Sequence, residues 1–136
     1  MVKDQKEELT DALARAVEGL LYISEADYPF EVFSSSEKAD SLTPQSIRRI
    51  THHGPKTPVE SVNPKSFFRA LTEEQEWYGP AEHKAAAQYK SLLKIMQDNL
   101  PDVKVFKLGK TQVDIYIVGI SSTGEVIGVS TRAVET

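Results

Sequence analysis

The chain has 136 residues, of which 40% are hydrophobic and 26% charged, the balance of a soluble globular protein with room for one core. Twenty acidic against sixteen basic residues leave a net charge of −4, which argues against direct binding of nucleic-acid phosphate and suits a basic partner. There is no cysteine, so disulfides, thiolate metal sites and cysteine nucleophiles are excluded.

The opening MVKDQKEEL is charged and lacks the apolar stretch of a secretory signal, and no apolar run is long enough to span a bilayer. The expected location is therefore the cytoplasm, and the expected organisation a single domain over residues 1–136. Leu9, Ala12, Leu13, Ala16, Val17 and Leu20 recur at three- and four-residue steps, which predicts an amphipathic first helix ending near Gly19. Leu21-Tyr22-Ile23 follows, then a polar bend from Ser24 to Pro29, where the proline excludes helix. Phe30 to Phe33 alternates partly, as an early strand would, and Ser34 to Ser41 reads as a polar loop.

Thr43-Pro44 is a helix start, an N-cap followed by proline at the first helical position, and Ile47 and Ile50 carry a short second helix to His52-His53-Gly54. Val59 to Val62 reads as another short strand, and Asn63-Pro64 repeats the start signal for a helix holding Phe67 and Phe68. Thr72-Glu73-Glu74-Gln75 has the spacing of a capping box, which predicts one or two helical turns through Glu76, Trp77 and Tyr78. From Pro80 the pattern Tyr89, Leu92, Leu93, Met96, Leu100 predicts the longest helix, stopped by Pro101.

The remainder reads as a three-stranded antiparallel meander, over 103–108, 113–119 and 126–134, with turns at Gly109-Lys110 and 121–124. The middle strand, Val113-Asp114-Ile115-Tyr116-Ile117-Val118, is apolar on both parities near its end, which calls for cover on both faces. The fold class that results is α+β, a three-layer α/β/α sandwich with helices on both faces of one mostly antiparallel sheet.

Catalytic signals are sparse. The seven glycines are scattered as turn and cap residues, none forming a phosphate-binding loop, and no serine sits in a nucleophile elbow. No histidine–acid pair stands out; adjacent His52 and His53 suit a helix C-terminus better than a shared metal, and His83 has no assignable partner. Glu25 and Glu76 could do acid–base work in principle, although spacing does not reveal their separation. The expectation is a non-enzyme.

Polar and aromatic residues on bends are what folding leaves unexplained. Glu25 lies in the bend after the first helix, Glu76 and Trp77 in a short segment, and Glu135-Thr136 closes the sequence. Trp77 suits core filling under a loop and interface contact equally, tryptophan being enriched among binding hot spots. At the last position a strand ending in Glu135-Thr136 gathers carboxylate and hydroxyl oxygens, the hard donors that suit a magnesium or calcium ion or a basic groove, whereas the plain alternative is fraying.

The segment 19–33, running GLLYISEADYPFEVF, together with Ser66-Phe67-Phe68, Gln75-Glu76-Trp77-Tyr78, Leu108-Gly109, Val113-Asp114-Ile115-Tyr116 and the closing STRAVET, resembles the nuclease A inhibitor family. The resemblance implies an inhibitor of a sugar-nonspecific DNA/RNA endonuclease that works with one magnesium ion. It further implies that Thr136 reaches that ion through carboxylate and hydroxyl, and that Glu25 joins the metal and hydration contacts, directly or through water. Glu76, Trp77 and Glu135 would complete the nuclease-binding surface, with Glu76 standing where the family more often has Asp. The magnesium would belong to the partner, the inhibitor having no cofactor of its own and meeting its nuclease one to one as a free monomer. A second reading stays open, a non-catalytic binding module for another basic partner.

Overall fold

A computed structural model describes residues 5–135, and in it the chain is α+β, with four helices, a five-stranded antiparallel sheet and a two-stranded sheet. The elements are α1 (Gln5–Ala16), β1 (Leu21–Ile23), β2 (Asp27–Pro29), β3 (Glu31–Lys38), α2 (Pro44–Ile50) and β4 (Val59–Val62). They continue with α3 (Pro64–Thr72), α4 (Pro80–Asn99), β5 (Lys104–Leu108), β6 (Gln112–Ile120) and β7 (Glu125–Val134). The large sheet has the order β3-β7-β6-β5-β4, so the expected meander is its centre and the two earlier strands flank it.

Alternation along the strands divides the core. Val113, Ile115 and Ile117 of β6 and Ile127, Val129 and Ala133 of β7 pack with Leu9 and Leu13 of α1, Phe67 and Phe68 of α3, and Tyr89, Leu92 and Met96 of α4. Residues of the other parity, Phe106, Leu108, Val118 and Val126, pack with Ile47 and Ile50 of α2. Since successive strand residues face opposite sides, these clusters lie on the two faces of the sheet, as the apolar pattern of β6 required.

Two helix starts form where Thr43-Pro44 and Asn63-Pro64 mark them. Thr43 Oγ1 accepts the Ser46 N–H at 3.1 Å while Ser46 Oγ accepts the Thr43 N–H at 2.8 Å, a reciprocal cap on α2. Asn63 caps α3 in one direction only, its side-chain oxygen accepting the Ser66 N–H at 3.2 Å.

Two expectations are corrected. The polar segment after Phe33 is largely strand, because β3 runs to Lys38 along β7, with a register irregularity between Ser34 and Lys38. Backbone pairing at a sheet edge tolerates outward serines, and Ser35 turns inward and is buried. The capping box at Thr72 does not form: Thr72 is the last residue of α3, its hydroxyl donates to the Phe68 carbonyl at 2.8 Å, and residues 73–79 form no helix. The reciprocal contact occurs later, where Glu82 Oε2 accepts the Gly79 N–H at 3.2 Å at the start of α4.

Candidate functional site

The segment foreseen as a polar bend is a small hairpin. Leu21 pairs with Pro29, Tyr22 with Tyr28 and Ile23 with Asp27, leaving Ser24, Glu25 and Ala26 as the connection. Short strand period sends Tyr22 inward and Leu21 and Ile23 outward. Tyr22 stacks on Phe67 with ring centroids 6.0 Å apart and meets Phe30 edge-on at 6.3 Å, which seats the hairpin on the core. Tyr89 of α4 donates its hydroxyl to the Leu21 carbonyl at 2.8 Å.

The hairpin is also sewn to β7. Thr131 Oγ1 donates to the Pro29 carbonyl at 2.9 Å, the Val134 N–H donates to Ser24 Oγ at 3.0 Å, and the Glu25 N–H approaches the Val134 carbonyl at 3.4 Å. Glu25, at the exposed tip, is thereby brought beside the end of β7, where Glu135 follows. Thr136, the other expected site residue there, lies outside the described residues.

Glu135 is held in turn. Its N–H donates to the Thr111 carbonyl at 2.8 Å, and its carboxylate takes the Lys107 ammonium at 2.9 Å. Burial pulls the Lys107 ammonium down, but the hydrogen bond it donates to Glu135, with the charges of Tyr22, Glu135 and Glu60 adding to it, outweighs that and leaves the group above the ordinary lysine value. Tyr22, close by, is raised chiefly by burial.

Trp77 is 73% exposed, so core filling is excluded. It lines a cleft of about 550 Å³ together with Leu21, Ile23, Tyr78, Ala81 and Ala85. The large hydrophobics left exposed among the described residues are Leu21, Ile23 and Trp77, and all of them line this one cleft. Single exposed apolar side chains are ordinary, whereas their gathering in one place marks a contact surface. Glu76 is exposed beside Trp77 in the same turn, on the 73–79 loop rather than on the hairpin. Reasoning from the sequence missed Leu21 and Ile23; the signal was their outward parity around Tyr22.

Histidine–acid pairs, unrecognised in the sequence, are present. His83 Nδ1 lies 2.8 Å from Glu74 Oε1, and this hydrogen bond, with Lys90 nearby, holds the Glu74 carboxyl below its usual range. His53 Nε2 lies 2.9 Å from Asp114 Oδ2, its Nδ1 2.7 Å from Thr51 Oγ1, and Arg132 Nε 3.3 Å from the other Asp114 oxygen. Hydroxyl, imidazole and carboxylate in series resemble a nucleophile relay, but the Thr51 hydroxyl sits 2.6 Å from the Ile47 carbonyl of its own helix. The string serves to fasten the end of α2 to β6. No group of three or more His, Asp or Glu residues among the described residues could hold a metal ion.

Fold and surface together define an α+β protein with carboxylates on a braced hairpin and strand end, beside an apolar cleft. The family model for nuclease A inhibitor-like proteins matches residues 7–136, nearly the whole chain, and the chain belongs to that family. No protein of curated function matches the sequence. No helix among the described residues is long and apolar enough to cross a membrane.

Proposed function

We propose that this protein inhibits a sugar-nonspecific DNA/RNA endonuclease by covering its active site with Glu25, Glu76, Trp77, Glu135 and Thr136. The observation that carries the reading is the joining of the Glu25 bend to the end of β7, beside the cleft of Leu21, Ile23 and Trp77, in a member of a nuclease-inhibitor family. A nuclease active site presents cations shaped for phosphate oxygens, and carboxylates can occupy it while offering no bond to cleave. Bracing the carboxylates beforehand limits the entropy lost on docking, and Trp77 supplies an apolar anchor at the rim of the charged contact.

In this reading the inhibitor carries no cofactor and turns nothing over. The magnesium is the partner's, met by Glu25 and Thr136 directly or through water. As scaffold we infer one domain in three layers, supported by the division of the core between the two sheet faces. A chain without cysteine suits the cytoplasm, where we place the encounter with a single nuclease molecule.

The test is a titration of a magnesium-dependent, sugar-nonspecific nuclease, using protein that ends at Thr136 and protein extended beyond it. Inhibition saturating at one to one, weakened about tenfold or more by the extension, is the expected result. Full nuclease activity at micromolar protein would sink the proposal, and equal inhibition by the extended protein would remove Thr136 from the contact.

A further inference from the structure

We propose that Ser24 is a positioning residue of the inhibitory surface, its hydroxyl fixing where Glu25 stands relative to the end of β7. The inference rests on the inhibitor reading above and names a residue that reading does not use. Three contacts converge on Ser24 Oγ: it accepts the Val134 N–H at 3.0 Å and the Ala26 N–H at 3.4 Å, and it donates to the Ala26 carbonyl at 2.7 Å. One oxygen closes the hairpin bend on one side and grips the last strand residue on the other.

Sheet geometry explains why a side chain is needed there. In an antiparallel strand, successive backbone groups point alternately to the two neighbours. The Glu135 N–H is directed to Thr111, the residue before β6, so the N–H and C=O of Val134 point to the outer edge of β7. The β3 ladder on that edge stops at the pair Glu31–Ser130. Beyond it the hairpin takes over, first through Thr131 Oγ1 to the Pro29 carbonyl, then through Ser24 to the Val134 N–H and Glu25 to the Val134 carbonyl. Both backbone groups of Val134 are therefore taken by two consecutive residues, and the second of these carries the carboxylate. A loosened bend leaves the composition of the surface unchanged but alters the spacing between its two acidic parts, and charge-assisted contacts tolerate little misplacement.

The experiment compares Ser24→Ala, Ser24→Thr, Glu25→Gln, Trp77→Ala and the double variant Ser24→Ala/Glu25→Gln, measuring the inhibition constant, the Tm and amide hydrogen exchange of the free protein. Ser24→Ala is expected to raise the inhibition constant about tenfold, to change Tm little, and to speed exchange at the Val134 amide. Ser24→Thr, which keeps the hydroxyl, should restore both inhibition and protection. In the Glu25→Gln background the alanine should add nothing, because a residue acting through Glu25 has no effect once that carboxylate is gone. Unchanged inhibition by Ser24→Ala in an assay where Glu25→Gln is weakened overturns the positioning role, and so do additive effects in the double variant. If Glu25→Gln and Trp77→Ala both inhibit like the parent, the docking surface itself is misassigned and the role of Ser24 falls with it. The Val134 exchange rate then reports separately whether the tether exists.

Discussion

At the scale of single residues, Trp77 and His52 show how side chains on similar bends take opposite roles. Trp77 touches Tyr78 edge-on at a centroid distance of 4.7 Å and is otherwise turned largely to solvent. Little stability depends on it, while desolvation against a partner would make it an anchor. Trp77→Ala is therefore expected to leave Tm within a degree or two and to weaken nuclease binding by about 2 kcal/mol or more, as thermal melts and isothermal titration would show. His52 is the residue after the α2 cap, with φ of 60°. The His53 N–H donates to the Arg48 carbonyl at 2.8 Å and the His52 N–H to the Arg49 carbonyl at 3.2 Å, the paired contacts of a left-handed helix ending. Glycine holds that conformation without a Cβ penalty, so His52→Gly should stabilise the protein by about 0.5 to 1 kcal/mol in urea unfolding. A loss of stability would mean that the His52 side chain has a contact of its own.

At the scale of elements, helices were legible wherever caps and periodicity agreed, as at Thr43-Pro44, Asn63-Pro64 and the long pattern from Pro80. What escaped the sequence depended on contacts between distant segments. The serines of β3 look like loop until β7 lies alongside them, and Ser24 to Pro29 looks like a bend until it doubles back on Leu21 to Ile23. Thr72 carried the spacing of a cap, yet its hydroxyl is satisfied inside α3. The sequence placed Glu25, Trp77 and Glu135 on turns and ends, where the structure has them, but gave no sign of Lys107, whose pairing joins β5 to the residue after β7. Tyr89 ties α4 to β1, and burial, with Tyr22 beside it, pushes its hydroxyl well above the ordinary tyrosine value. Tyr89→Phe should cost about 1 to 2 kcal/mol of stability through the unsatisfied Leu21 carbonyl, and hydrogen exchange should rise first in β1 and β2. The Lys107–Glu135 pair has a defined pH window. A lysine raised in the folded state stabilises fully below its ordinary value of 10.5, and the contribution fades as pH climbs through the higher folded value. The stability gap between the parent and Lys107→Met should thus stay constant from about pH 6 to about pH 9 and narrow only in stronger alkali. A gap that varies within the neutral range would assign the effect to another group.

At the scale of the whole molecule, sign of charge and placement of charge make separate contributions. A net charge of −4 on 136 residues is modest, and many of its carboxylates are matched locally: Glu125 by Lys6, Glu74 by His83 and Lys90, Asp98 by Lys94, Asp114 by His53 and Arg132. Such exposed pairs add little to stability, but they cancel much of the field that would otherwise repel or attract in every direction. Attraction toward a cationic groove should then depend most on the charges that lie nearest the contact, rather than on the bulk. Raising ionic strength from about 0.05 M to about 0.5 M shortens the screening length from roughly 14 Å to roughly 4 Å, and the association rate with the nuclease should fall by one to two orders of magnitude. The dissociation rate, governed by short-range contacts such as those of Trp77, should change much less. Glu25→Gln should flatten the salt dependence of association, whereas Asp98→Asn, an equal change of net charge made away from the contact, should barely alter it. Stopped-flow measurements on the three proteins distinguish local steering from a bulk-charge effect, since the latter predicts equal changes in slope for both substitutions.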